Sequence, residues 1–267
     1  MTYPPQPDWS GAVAALRQAH SVLLVAHVTP DADALGSALA LGLALRRLGK
    51  HVDVSVGEPG FVVPPSLAFL PGVDLVLAPE QVAVPDVVVV CDTASVERLG
   101  ILAEAVAAAP ICIAIDHHPS FTGFGTVHVV DAEAPATAAL ALRLIDLLDV
   151  ELDREIAAAV YAGLATDTGS FKFHATTSDT MRMAARLFDA GIDHARLARL
   201  LFDDEPLVAL QVMGEALQRA TLVASAVGGA GLVHTSISVE QRRGLSELGI
   251  ERVIDSLRRA SEAEVAA

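Results

Sequence analysis

Three apolar runs in this sequence each end in a side chain able to hold a metal ion. Val22 to Ala26 ends in His27, Val87 to Cys91 in Asp92, and Ile111 to Ile115 in Asp116-His117-His118. Asp31 and Asp33 follow His27 by four and six positions, and a further segment, Ala162 to Gly169, sets Asp167 at a helix end beside glycine. Taken alone, the first stretch has two readings. One imidazole and two carboxylates at that spacing make a small acidic cage for a hard-to-borderline divalent cation. Equally, Asp31 and Asp33 can cap a helix while His27 merely ends a strand. The other segments favour the cage. So many carboxylates converging with His27, His117 and His118 would repel one another once desolvated, and two divalent ions resolve that conflict. The want of thiolates argues against a single structural zinc. A mixed Asp and His donor set favours Mn2+, with Mg2+ or Co2+ as alternatives.

For these side chains to meet, the runs that carry them must lie side by side. Parallel neighbouring strands bring their carboxyl ends to one edge of a sheet, where open α/β folds bind ligands. The rhythm of the chain supports that arrangement. A first helix through about Ala19, capped by Asp8 or Ser10, precedes a strand over Ser21 to Ala26. A helix from Leu35 to Leu48 ends at Gly49, and His51 to Val56 is a second strand. The Gly- and Pro-rich stretch from Gly57 to Gly72 reads as loop, with one helical turn near Leu67. Strands follow at Val73 to Leu77, Asp86 to Cys91, Ile111 to Ile115 and Thr126 to Val130. Helices are expected at Ser95 to Ala108, Ala136 to Leu148 and Asp153 to Ala165. This alternation predicts an α/β fold with a mainly parallel sheet of five or more strands, flanked by helices. From Ser178 to Arg219 the pattern is helix after helix, broken at Gly191 and Pro206. Two strands, Thr221 to Val227 and Gly231 to Ile237, and closing helical patterns then suggest a second, smaller α/β unit.

Composition narrows the class of protein. The chain has 267 residues, of which 52% are hydrophobic and only 4% aromatic, so its core is built from Ala, Val and Leu. Mean hydropathy is +0.48, yet the longest apolar candidate, Ala34 to Leu45, stops at Arg46-Arg47, short of the ~18–20 residues a membrane span needs. The Pro-rich start, Met1 to Asp8, lacks the basic and apolar regions of a signal peptide. Net charge is −15, which opposes long duplex nucleic acid, since non-specific binding there rests on many Lys and Arg contacts to phosphate. A phosphorylated substrate should therefore be short. Cys91 and Cys112 are core thiols rather than a disulfide framework, in keeping with a cytoplasmic location.

The His27, Asp31, Asp33 segment, the strand-end Asp92, Asp116-His117-His118 and Thr166-Asp167-Thr168-Gly169 resemble, in order, the four motifs of the DHH phosphoesterases. The resemblance covers roughly residues 15–260, with the motifs within the first 170. Gly163 to Phe173 (GLATDTGSFKF), followed by Ala175-Thr176-Thr177, looks most like the nanoRNase and pAp-phosphatase branch, some members of which also act on cyclic di-AMP and its linear product. The resemblance implies roles. His27, Asp31 and Asp92 would hold one ion; Asp33, Asp92, His117 and Asp167 the other, with Asp92 bridging. His118 would face the scissile phosphate and Asp116 would orient its histidine neighbours, as outer partners of metal ligands do. Two such ions share a water-derived nucleophile for in-line attack on phosphorus. Lys172 and His174 are candidates for substrate contact because they follow the fourth motif. Thr137 and Ser37, near helix starts, could bind phosphate or simply cap.

The expected division is a catalytic domain over 1–190, a helical linker over 191–210, and over 211–267 the start of a substrate-binding domain resembling DHHA1. In the family that second domain closes over the site with a late Gly-rich, His-containing segment. No such segment stands before Ala267, which suggests a truncated form with weaker or less selective activity. The leading expectation is a Mn2+-dependent hydrolase of short oligoribonucleotides, pAp, or linear or cyclic di-AMP. The alternatives are an inorganic pyrophosphatase or exopolyphosphatase of the same family, or a nucleotide sensor without turnover. A homodimer is expected from the frequency of two-fold assemblies.

Overall fold

The computed structural model of the chain describes residues 6–242, 245 and 247–267; residues 1–5 of the Pro-rich start lie outside the described residues. The chain forms two compact units, 1–202 and 203–267. The first holds a six-stranded sheet in the order β3-β2-β1-β4-β5-β6. The strands are β1 (Ser21–Ala26), β2 (His51–Val56), β3 (Val76–Leu77), β4 (Val87–Cys91), β5 (Cys112–Asp116) and β6 (Val127–Val130), and every pairing among them is parallel. The chain winds outward from β1 in one direction, then returns to lay β4 on its other side. That reversal makes the space beyond β1 and β4 a topological switch point, where sheets of this order bind ligands.

Alternation along the strands serves both faces. Leu24, Val89, Cys91, Ile113 and Ile115 join the larger core with α1 (Trp9–Gln18), α2 (Ala32–Arg47), α4 (Thr137–Leu147) and α5 (Arg154–Asp167). Leu23, Val25, Val88, Val90 and Cys112 face Leu99, Leu102 and Val106, of which Val106 lies in α3 (Ala103–Ala108). Central parallel strands covered on both sides read as continuous apolar runs, which is why β4 is Val-Val-Val-Val-Cys. Small side chains let the helices approach: a Cβ on Gly36 of α2 would lie 2.7 Å from the Ala159 carbonyl oxygen of α5.

Three expectations shift. Val73–Leu75 is a 3-10 turn, leaving only two residues of β3 paired. The helix expected over Ser95 to Ala108 is a 3-10 segment, Val96–Leu102, bent at Gly100 (φ +54°), then α3. The cause is a close approach by Gly57: a Cβ there would lie 1.8 Å from the Leu99 carbonyl oxygen, and Ile101 N–H donates to the Gly57 carbonyl. α2 begins at Ala32, three residues early, because Asp31 caps it by accepting from the N–H groups of Asp33 and Ala34.

After α6 (Ser178–Asp189) and α7 (His194–Ala198), the second unit contains α8 (Leu207–Gln218), β7 (Thr221–Val223), β8 (Leu232–His234), α9 (Val239–Arg242), α10 (Glu247–Leu257) and β9 (Val265–Ala266). Its sheet runs β7-β8-β9, antiparallel and then parallel. Its strands are shorter than the sequence suggests, and Val227–Gly229 between β7 and β8 is a 3-10 turn. Among the described residues no helix is long and apolar enough to cross a membrane.

Candidate metal centre

Strand register assembles the site. Ala26 pairs with Cys91 and Cys91 with Ile115, so His27, Asp92 and Asp116 stand next to one another across three adjacent strand ends. Asp92 takes a left-handed backbone conformation (φ +57°), which Asp tolerates better than most residues. Its N–H donates to the Ile115 carbonyl at 2.9 Å, fixing the turn. Asp31 and Asp33 enter from the first turn of α2, and Asp167 from the last residue of α5.

The candidate ligands gather in three overlapping groups, His27 with Asp31 and Asp92, Asp92 with His117 and His118, and Asp33 with His117 and Asp167. Within each group the donor atoms lie within 4.8 Å of one another. Asp92, only 2% exposed, faces two ways. Its Oδ2 lies 3.6 Å from His27 Nε2, while its Oδ1 lies 3.6 Å from His117 Nε2. His27 Nε2 is 3.9 Å from Asp31 Oδ2, and His117 Nε2 is 3.1 Å from Asp167 Oδ2. Asp31 thus does both things its sequence context allows: Oδ1 caps α2 and Oδ2 faces His27.

A second set of contacts orients these groups. With its proton on Nδ1, His27 donates to the Val28 carbonyl (2.8 Å) and His117 to that of Ala134 (3.3 Å), leaving each Nε2 lone pair for a cation. Asp116 is fully buried; its Oδ1 accepts from the His117 backbone N–H (3.0 Å) and from His118 Nδ1 (2.7 Å). Asp33, 0% exposed, accepts from the backbone N–H groups of Thr137 (2.7 Å) and Ala138 (2.8 Å) and from the Ser37 hydroxyl (3.2 Å). It caps α4 across the core, where the helix N-terminus favours negative charge.

Thr137 does not open to a phosphate. It is fully buried, and its hydroxyl donates to Asp92 Oδ1 at 2.9 Å. Ser37 is likewise buried and committed to Asp33. In this structure both hydroxyls are turned to carboxylates, that of Thr137 to Asp92 and that of Ser37 to Asp33. Lys172 and His174 are exposed on the loop after α5 and lie outside the three ligand groups. Gly169, Ser170 and Phe171 all adopt positive φ there. Phe171 turns inward toward Tyr161 (ring centroids 6.4 Å), while Phe173 stays 50% exposed over Gly169. Arg98 escapes a sequence search because nothing near it in the chain resembles a site; the fold brings its Nη2 to 2.8 Å from His27 Nδ1.

Electrostatics record the crowding. Burial strongly disfavours the charged form of Asp33, and the Asp92 and Asp167 carboxylates add to it, so its pKa stands well above the usual range. Burial likewise raises Asp167. Burial opposes the imidazolium of His27, but the hydrogen bonds to Asp31 and Asp92 outweigh it and lift the pKa to about 9. His117 reaches about 9 in the same way, burial being overcome by Asp167 and Asp33. For Asp31, burial works upward, yet His27 and the Ala34 N–H hold it low. The hydrogen bond to Asp116 raises His118. Imidazoles that retain protons against burial record how closely the carboxylates crowd them.

The model of the DHH family, N-terminal domain, matches residues 21–164. The chain belongs to the DHH family. That match spans more than half of the chain and includes five of the six expected ligands; Asp167 falls just beyond it. The bifunctional oligoribonuclease and PAP phosphatase NrnA of Thermus thermophilus is 39% identical over 199 residues, covering 73% of this chain and 58% of the relative. The protein of the same name from Bacillus subtilis is 31% identical over 188 residues, covering 68% and 57%. The DHH chain thus spans less than two thirds of the length of these curated relatives, and it sits in their branch of the family. Among solved structures, an exopolyphosphatase-related protein from Bacteroides fragilis superposes with a TM-score of 0.84 at 24% identity, covering 96% of this chain and 77% of that one. A putative family II inorganic pyrophosphatase from Methanococcus jannaschii gives 0.52 at 20%, covering 89% and 78%. These likenesses are of fold.

Proposed function

We propose that the chain is the catalytic portion of a dinuclear, Mn2+-dependent phosphohydrolase acting on short nucleotides: oligoribonucleotides of a few residues, pAp, or linear and cyclic di-AMP. The observation that carries this reading is the two-faced Asp92, whose oxygens serve separate ligand groups. A carboxylate so placed suits two ions close together. The donor set fits them: buried Asp33 and Asp92 need compensating charge, and oxygen with imidazole nitrogen suits Mn2+, with Mg2+ or Co2+ as alternatives. His27, Asp31 and Asp92 would hold one ion and Asp33, Asp92, His117 and Asp167 the other. When bound, the pair would supply the Lewis acidity and the acidification of water that phosphoester cleavage requires.

The chain's own groups account for the rest. With Asp116 on Nδ1, His118 keeps Nε2 for substrate, and its side chain is 36% exposed. It would stabilise the phosphate or protonate the leaving oxygen, with Asp116 as positioning residue. Phe173 offers an exposed ring on which a base can stack, a contact that pyrophosphate could not use. Lys172 and His174 flank it. The names of the Thermus and Bacillus relatives support oligoribonucleotides and pAp as substrates. Residues 203–267, with their mixed three-stranded sheet, would belong to a substrate-binding domain of the DHHA1 kind.

The test is a panel of pAp, pApA, a five-residue RNA and pyrophosphate, with Mn2+ and after chelation. Hydrolysis of the nucleotides that stops on chelation is expected. Hydrolysis of pyrophosphate alone would overturn the nucleotide reading.

A further inference from the structure

A cavity of about 330 Å3 opens on the first unit between α5, α7 and the loop that precedes β3. Its walls are largely apolar. Phe69 and Pro71 come from the loop, Leu197 from α7 and Leu200 from the turn after it. Phe69 packs against the main core and Leu197 is buried in it, so these walls are held by packing. Two guanidinium groups, of Arg154 and Arg196, line the same cavity. Both have carboxylates close by in the chain, and neither pairs with them. Asp153 and Glu155 flank Arg154, but both form ion pairs with Arg47 of α2, Glu155 at 2.9 Å. Asp193 stands three positions before Arg196, a spacing that suits a side-chain pair on a helix. Its Oδ1 instead caps α7, accepting from the Arg196 backbone N–H at 3.1 Å. Among the described residues neither guanidinium has an ion pair or a hydrogen bond.

Glu155 and Asp193 complete the lining. With Glu155 neutralised by Arg47, two guanidinium groups face the cavity against the single carboxylate of Asp193. Like charges so placed repel, and a chain of net charge −15 has carboxylates enough to have paired them. The arrangement suits an anion from outside. A planar, forked donor matches the oxygens of a phosphate, and the apolar walls favour an anion with an apolar or ring body over a bare ion. The volume stands at the small end of the range for small-molecule sites, about 300–1,000 Å3. We infer that this cavity binds a small organic phosphate, its phosphate group at Arg154 and Arg196 and its body against Phe69 and Leu197. Arg154 is the first residue of α5 and Asp167 the last, so the cavity stands roughly 20 Å along that helix from the candidate metal centre. It is a separate site, and the assignment does not rest on the phosphohydrolase reading above.

Calorimetric titration of the full chain with phenyl phosphate tests this, in an Asp92→Asn background that removes turnover at the candidate metal centre. One phenyl phosphate per chain should bind, with inorganic phosphate at least about tenfold weaker. Arg154→Ala and Arg196→Ala should each weaken phenyl phosphate about tenfold to hundredfold, the range of a charge-assisted hydrogen bond. Arg196→Lys should recover part of the loss. Both side chains are exposed, so thermal unfolding of the variants should match that of the parent chain. Failure of phenyl phosphate to bind at millimolar concentration would overturn the assignment. Binding that survives both alanine substitutions would overturn it too, by placing the ligand elsewhere. Equal affinity for inorganic phosphate would reduce the cavity to the site of an adventitious ion only and overturn the organic ligand.

Discussion

Thr137 separates support of the metal centre from contact with substrate. Its hydroxyl is buried and donates to Asp92 Oδ1, while its backbone N–H donates to Asp33. One residue at the start of α4 therefore steadies a carboxylate from each of two ligand groups. Thr137→Val keeps the shape and the backbone bond but removes the donor to Asp92. Loss of such an outer partner typically lowers metal affinity about tenfold to hundredfold. We expect Mn2+ affinity, followed by calorimetry, to fall by that factor, with KM for nucleotide unchanged once metal saturates. A rise in KM at saturating Mn2+, with metal affinity intact, would instead make Thr137 a phosphate contact. The sequence could not show this, because a Thr at a helix start reads as a cap whatever faces it. The partner, Asp92, lies 45 positions away, and only packing joins them.

Helix packing limits which elements can change. A Cβ on Gly163 of α5 would lie 2.5 Å from Asp33 Oδ1 and 2.9 Å from Ala138 Cβ, whereas one on Gly214 of α8 meets nothing within 4 Å. Both positions are inside helices, so propensity alone favours alanine at each by about 1 kcal/mol. Gly214→Ala should then stabilise the chain by about 0.4–1 kcal/mol. Gly163→Ala should destabilise it by about 1–3 kcal/mol through overpacking and, by displacing Asp33, weaken metal binding. Urea unfolding and metal titration of the two variants check both signs; a stabilised Gly163→Ala chain that binds metal normally would refute the account. At this scale the sequence was informative where local pattern and tertiary need agree. β1 and β2 follow the expected limits, and the residues after β1, β4 and β5 meet because an apolar run of defined length ends in each. It was uninformative where a distant backbone intervenes. The segment after β4 reads as helix, but Gly57 approaching Leu99 bends it, and that bend delivers Arg98 to His27. β3 falls short for a related reason, since a single edge neighbour defines it.

For the molecule as a whole, protons and the proposed metal ions would compete for the same buried charge. His27 and His117 carry pKa values raised to about 9, and Asp33 and Asp167 are raised from the ordinary carboxylate range. Each of these groups binds its proton more tightly in the folded chain than in the unfolded one. The stability contributed by the histidines is complete below their unfolded value of 6.5 and is lost as pH rises through about 9. Asp31, whose pKa is lowered, acts in the opposite sense, but only in acid, as pH falls through its folded value. Without metal the chain should therefore lose stability between about pH 6.5 and 9. Metal bound by the proposed ligands would change the balance by replacing protons on the same nitrogens and oxygens. Its affinity should climb over that window, and its binding should release protons. Saturation at a hundredfold above Kd adds about 2.7 kcal/mol per site. In a unit of this size that raises Tm by several degrees. Differential scanning calorimetry with Mn2+ and with chelator, at pH 6 and 8.5, should show a metal-induced rise in Tm that is larger at pH 8.5. Asp92→Asn should abolish most of that rise at both pH values, because it weakens both ligand groups that share the carboxylate. A rise independent of pH would mean that the histidines are not ligands, and a full rise in Asp92→Asn that Asp92 does not join the two groups.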